Sequence, residues 1–379
     1  MRLAPGEPKL GAVLIHSRGV FMAGKSRQLL DLLKIAHPII QAPMAGGITT
    51  PGLVAAVSAA GGLGSFGAAY MSPDELRQAI KAVRAETEKP YQVNLFVPDE
   101  EAARGTETHG RAMERLRRVY ADYGMEFAPE ELKPRDYYAA HIEVVLAEKT
   151  PVVSFVFGVP SEDVVRRLKQ AGCVLIGTAT CVAEGLALAD AGMDAIAVQG
   201  FEAGGHRGTF HSTVRESAEI PNVGLFALLA QMVEAVDVPV IASGGIMNGA
   251  GICAASALGA AAAQMGTAFM GCPEAGVTGS WRRALRESAD VDTALTNVFS
   301  GRMARGIRNV FMTEMAGVEE DVPPFPLQNA LTGPLRREAK KRDDAGHQSL
   351  WAGQAARLVR FLPAAELVRV LVAEMGAAG

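Results

Sequence analysis

The sequence predicts an α/β protein: a (β/α)8 TIM barrel with an insertion after the third strand and a cap segment after the eighth. Eight short apolar runs recur along the chain with helical patterns between them. Each run is apolar almost without interruption, as a parallel strand covered by helices has to be, whereas a half-exposed strand alternates. Eight such units in sequence, over about 250 residues, favour a closed barrel above an open doubly wound sheet.

The first strand is "PIIQAPM" (38–44), followed by the helical "TPGLVAAVSAAG", and the second is "GLGSFGA" (62–68), followed by "SPDELRQAIKAVRAE". The third, "YQVNLFV" (91–97), leads into residues 99–150, which are polar and charged with a "FAPEELKPRD" break and read as an insertion. "PVVSFVFG" (151–158) and "CVLIGTAT" (173–180) are the fourth and fifth strands, with helices "SEDVVRRLKQAG" and "VAEGLALADAG" after them. "AIAVQG" (195–200) precedes the helical "LFALLAQMVEAV", and "PVIASGGI" (239–246) and "AAAQMGTAFM" (261–270) complete the set. The helical segments carry start signals and apolar periodicity. The chain then divides into an N-terminal extension (1–25) outside the packed fold, a barrel (26–273), an Arg- and Pro-rich cap over one barrel mouth (274–346), and a C-terminal helix (347–379) completing the outer ring.

With 379 residues, 49% of them apolar and 21% charged, the chain can bury a large core. A formal charge of −4 supplies no basic field for nucleic acid or anionic membrane, so small molecules are the expected partners. The four cysteines form no C-x-x-C pair and no matched histidine spacing, so neither a zinc site nor a disulfide framework is expected. No apolar run approaches the roughly 18 to 20 residues that span a bilayer. The N-terminal "LGAVLI" is too short for a signal peptide, and a reducing cytoplasm fits best. Composition leaves a homo-oligomer open.

"GLGSFG" (62–67) matches a dinucleotide fingerprint letter for letter, but a helix precedes the glycines and a strand follows, which reverses the required order. These glycines read as helix-to-strand packing. Phosphate-binding turns are expected instead after strands seven and eight. "ASGGIMNGAG" places Gly244 and Gly245 there, and "QMGTAF" places Gln264, Met265, Gly266 and Thr267 there. Glycine backbone amides approach a dianion closely, a helix N-terminus adds a favourable dipole, and the Thr267 hydroxyl can donate. Asn94, Gln199 and Gln264 stand near strand ends, and carboxamides suit the mixed donor and acceptor edge of a flavin ring. Together they point to FMN. His206 follows the sixth strand behind Gly204 and Gly205, which let backbone lie against a flat ring while an imidazole able to exchange protons projects over it. His211 is the competing histidine, and Glu202 and Arg207 read as loop anchors.

At this point "QAPMAGGITTPGLVAAVSAAGGLGSFG", "NLFVP", "GTATCVAEGLALADAGMDAIAVQGFEAGGHRGTF", "AQMGTAF" and "SGRMARG" together resemble the nitronate monooxygenases, formerly called 2-nitropropane dioxygenases. The resemblance runs in order over residues 38–306, with "LWAGQAA" in the tail also similar. It implies an FMN-containing barrel that oxidises alkyl nitronates, such as propionate 3-nitronate, with O2 to a carbonyl compound and nitrite. It also implies that His206 is the catalytic histidine and that Asn94, Gln199, Gly204, Gly245 and Gln264 to Thr267 contact FMN, with Met44 meeting the flavin through its backbone. Trp351 is the one aromatic residue singled out for substrate contact. The alternative on the same barrel is an FMN-dependent NAD(P)H reductase of enoyl thioesters or quinones, although no separate dinucleotide fingerprint is present. A dehydrogenase using a cysteine nucleophile fits less well, because no loop cysteine is poised for it. A non-catalytic flavin or phosphate binder is the reading from a different class.

Overall fold

The computed structural model describes residues 24–98, 110–210 and 222–378. All but the last two residues of the expected extension (1–25), and His211, lie outside the described residues. Gly24 and Lys25, assigned to the extension above, instead open the first helix. The chain runs α1 (Gly24–Leu33), β1 (Ile39–Gln41), α2 (Pro51–Ala59), β2 (Gly64–Gly67), α3 (Pro73–Glu86) and β3 (Tyr91–Phe96). It continues through α4 (Gly110–Asp122), α5 (Tyr138–Ala147), β4 (Val152–Val156), α6 (Glu162–Gln170), β5 (Val174–Ala179), α7 (Val182–Asp190), β6 (Ala195–Gln199) and β7 (Gly205–His206). Then come α8 (Leu225–Ala235), β8 (Val240–Ser243), α9 (Gly249–Ala257), β9 (Ala262–Met265), α10 (Thr267–Met270) and α11 (Gly279–Glu287). β10 (Thr293–Thr296), β11 (Ala304–Ile307), α12 (Val310–Glu314), α13 (Leu327–Lys341) and α14 (Ala364–Ala378) complete the order.

Eight strands pair in parallel in the order β1-β9-β8-β6-β5-β4-β3-β2. Parallel bridges from Ile40 to Leu63 and from Met44 to Phe66 join the two ends, so the sheet closes as the apolar runs predict. Side chains alternate across it. Val93 and Leu95 of β3 face the surrounding helices, while Asn94 and Phe96 face the barrel mouth. The lower interior is mainly apolar, with Ile40, Leu63, Val152, Ile176 and Ile241, and takes in the buried polar side chains of Ser65 and Gln92. Leu29, Leu30 and Leu33 of α1 plug it from below, and Ser26 Oγ fixes the plug by donating to Ala261 O at 2.9 Å.

Local chemistry sets the helix starts. Thr50, Ser72 and Ser161 each accept a first-turn amide of α2, α3 and α6, and Ser72 with Glu75 forms a capping box. In "GLGSFG" a Cβ on Gly64 would lie 2.2 Å from Val54 O, so helix and strand touch through backbone, as the reversed order implies. α14 packs on α2 and α9 and closes the outer ring.

Three features differ from the expectations. The stretch 99–150 is only partly an insertion, because α5 packs on α3 and β3 as the barrel's own third helix. The segment after β9 carries two strands that no periodicity announced: β10, β11 and β7 form a small antiparallel sheet in which Ala304 pairs with His206 and Arg305 with Gly205. The C-terminal helix begins at Ala364, one residue after Pro363, and the segment before it is irregular apart from the 3-10 turn Ala356–Leu358. The insertion and the cap share one core, where Leu116, Val119 and Tyr120 of α4 meet Phe299, Phe311 and Leu335. We call this unit the lid.

Leu29 is fully buried in the plug, so Leu29→Ala is expected to lower stability by about 2–5 kcal/mol, read as a shift in the denaturant midpoint. A shift within about 0.5 kcal/mol would mean that α1 does not seal the barrel.

Candidate active site

A cavity at the C-terminal ends of the barrel strands encloses about 1180 Å³ of space, part of it open to solvent. All eleven residues expected at the site line it, from Met44 after β1 to Thr267 after β9, with His206 among them. Polar ends of the inward-facing strand positions (Asn94, Thr178, Gln199, Ser243, Gln264) stand above the apolar interior.

Two turns lie side by side at the ends of the neighbouring strands β8 and β9. Gly244 and Gly245 have φ of 123° and 71°, in the region that favours glycine. The amides of Gly244, Gly245 and Ile246, and those of Gly266 and Thr267 beside them, donate to no acceptor among the described residues. Converging unpaired amides form an anion cradle. At the start of α9, Asn248 Oδ1 accepts from Gly251 N at 2.8 Å and Glu374 Oε2 from Gly249 N at 2.8 Å, so these two amides are already engaged. Thr267 Oγ1 accepts from Gly353 N at 3.0 Å, which leaves its own proton to donate.

The three carboxamides differ. Gln199 spends both ends on the loop that follows it, with Nε2 donating to His206 O at 2.9 Å and Oε1 accepting from Gly208 N at 2.8 Å. Asn94 Nδ2 donates to Ser154 Oγ at 2.9 Å, leaving Oδ1 open, and Gln264 has no partner among the described residues. Asn94 and Gln264 therefore offer the free amide functions, while Gln199 pins the histidine loop.

His206 sits on β7 under the lid. Its Nε2 lies 2.9 Å from Ser300 Oγ. The rings of Trp351, Phe157, Phe96 and Phe325 surround it, with centroids 5.6, 5.8, 6.1 and 6.3 Å away. Burial first, and then the positive charges of Arg302 and Arg336, lower its pKa to about 3. It is a neutral imidazole at ordinary pH. Arg302 stacks over Phe157, its Cζ 3.8 Å from the ring centroid. Glu202 and Arg207 do anchor the loop. The Glu202 carboxylate accepts from Leu225 N at 2.9 and 3.0 Å, capping α8, and Arg207 Nη1 donates to Gly200 O at 2.6 Å.

Sequence reasoning placed Trp351 at the site but missed Ser300, Arg302, Phe96, Phe157 and Phe325. Phe96 had a signal, since two residues beyond Asn94 on a strand it must share the inner face. Phe157 had none, because its left-handed φ of 76° re-aims the chain at the end of β4. Among the described residues no group of three or more His, Cys, Asp or Glu side chains could hold a metal, and no helix is long and apolar enough to cross a membrane.

The family model described as nitronate monooxygenase matches residues 26–374. A probable nitronate monooxygenase of Staphylococcus saprophyticus is 41% identical over 351 residues, covering 92% of this chain and 97% of its own. The solved nitroalkane oxidase of Streptomyces ansochromogenes superposes with a TM-score of 0.83 at 43% identity, covering 92% of this chain and 98% of its own. FabK from Thermotoga maritima gives a TM-score of 0.73 at 30% identity, covering 92% and 96%. With the whole barrel and its lid inside these matches, the chain belongs to the nitronate monooxygenase family and is an oxidoreductase enzyme.

Proposed function

We propose that the protein is an FMN-dependent monooxygenase that oxidises alkyl nitronates, propionate 3-nitronate among them, with O2 to a carbonyl compound and nitrite. The observation that carries this reading is the meeting, in one cavity, of an anion cradle of unpaired amides and a neutral histidine ringed by aromatic side chains. The donor set fits FMN. The amides of Gly244, Gly245, Ile246, Gly266 and Thr267 would take its phosphate, where side chains at the two positive-φ glycines would strain the turn. Asn94 and Gln264 would meet the hydrogen-bonding edge of the ring, and Met44 the ring through its backbone. Bound there, the flavin would supply the means of accepting electrons from an organic substrate and passing them to O2.

The chain's own part is positioning and electrostatics. The aromatic box excludes water from the face where His206 projects. Arg302 and Arg336 lend positive potential to a substrate that arrives as an anion. His206, uncharged, accepts or donates a hydrogen bond at the nitronate. Ser300 and Gln199 hold it by ring and by backbone.

The purified protein is expected to be yellow and to release nitrite from propionate 3-nitronate in air. Without oxygen, the nitronate alone should bleach the flavin and NADPH should not; bleaching by NADPH alone would establish the reductase instead. His206→Asn is expected to keep its flavin absorbance while nitrite release falls by about 10²–10⁴-fold. Undiminished turnover would remove His206 from the reaction. Since His206 titrates at about 3, kcat/KM for a preformed nitronate should show no inflection near pH 6.5, about where a solvated histidine titrates. An inflection there would contradict the buried, neutral assignment.

A further inference from the structure

Below the cavity at the strand ends, three adjacent strands turn polar side chains into the barrel core. Val93 and Leu95 of β3 point to the helices, so Gln92 and Asn94 point inward; by the same alternation Ser65 of β2 and Ser154 of β4 point inward on either side of them. Ser65 and Gln92 are register partners, and so are Asn94 and Ser154. In a barrel of eight parallel strands the register climbs about one residue per strand, so side chains from alternate strands share a level. Gln92 therefore lies level with Ile40, Ile176 and Ile241, while Ser65 and Ser154 lie one level higher, with Ala197 and Gln264. Such levels are ordinarily filled by bulky branched side chains. Here two serines and an alanine leave space between the isoleucines below and Asn94 above.

The polar atoms facing that space are unspent. Ser65 Oγ and both ends of the Gln92 amide, Oε1 and Nε2, have no partner among the described residues, and both side chains are fully buried. Ser154 Oγ accepts from Asn94 Nδ2 at 2.9 Å, and its own proton meets no acceptor among the described residues. Leaving polar groups unpaired in a core is costly, and these are gathered on three neighbouring strands. The set mixes donors with acceptors and carries no charge, which matches water and neither an anion nor a cation.

We propose that Ser65, Gln92 and Ser154 form an internal water site, and that through this water Gln92 helps to orient Asn94. A water that accepts the Ser154 proton keeps the Ser154 lone pair on Asn94 Nδ2, which leaves Asn94 Oδ1 for the cavity above. Gln92 does not line that cavity, so it is a positioning residue that acts through the water and Ser154. The water site stands on register, burial and unpaired atoms. Its effect on a cofactor rests on the FMN reading.

Two measurements test it. In a high-resolution crystal structure of the holoenzyme, a solvent peak is expected within about 3.2 Å of Ser65 Oγ, of one end of the Gln92 amide and of Ser154 Oγ. Absence of that peak overturns the site, whether Gln92 turns to pair with Ser65 or stays unpaired. The second measurement follows FMN release on dilution of the holoenzyme, through the fluorescence of the freed flavin. Gln92→Met keeps the length of the side chain and removes its polar ends, so the Kd for FMN should rise about 3–10-fold, the size of one hydrogen bond. Ser154→Ala should also weaken binding, and adding Gln92→Met to it should cost nothing further. An unchanged Kd in Gln92→Met, or losses that multiply in the double variant, overturns the coupling. If the purified protein holds no flavin, the functional reading fails while the solvent peak still decides the water site.

Discussion

Because β7 is only two residues long, its pairing with β11 does something no barrel strand does: it ties the loop after β6 to the lid. His206 takes its backbone position from that pairing and its ring position from Ser300, which precedes β11 on the same lid segment. Gln199, at the tip of β6, grips the other side of the loop through His206 O and Gly208 N. The histidine is therefore fixed from barrel and lid together, and its burial, from which its neutrality follows, exists only while the two are docked. The shared core of α4 with the segment after β9 makes that docking a packed interface.

The barrel divides its labour by height. Its lower interior is mainly apolar and sealed by α1, while inward positions further along several strands (Asn94, Thr178, Gln199, Ser243 and Gln264) are polar. Alternation lets one strand serve both ends, with outward residues on the helices throughout. The anion cradle is backbone, not side chain. It needs no lysine, because the amides of two glycine-rich turns remain unspent beside the start of α9, whose amides are engaged by Asn248 and Glu374.

All eight barrel strands were legible because each is buried on both faces and so is written in continuous apolar residues. Gly244, Gly245 and the run from Gln264 to Thr267 were legible because turns after the seventh and eighth strands have a fixed place in such a barrel. The lid was not. "TALT" and "ARGI" are four residues each, and they become strands only by pairing with one another and with a dipeptide about a hundred residues earlier in the chain. The tail misled in the opposite sense, since its helical periodicity runs through 349–363 but Ala352 and Gly353 are held against Gly204, Thr267 and Arg305. Tertiary contact overrides local preference there. Arg336 was invisible for a related reason: an arginine on a charged helix reads as solvated until the fold shows which one faces a cavity.

The electrostatics of the site then argue about its substrate. Arg302 and Arg336 hold positive potential where the imidazole is kept uncharged, and the cavity lining carries more cations than anions. A neutral ligand entering would leave that imbalance in place and add only apolar contact with the aromatic walls. An anion entering would meet that positive potential and repay part of its own desolvation. It would also act on His206 in the sense opposite to the arginines, raising the ring's affinity for a proton when substrate is present. Under the proposed function, such a bias would favour a nitronate over its neutral nitroalkane before any bond is broken, through charges that stand on the lid.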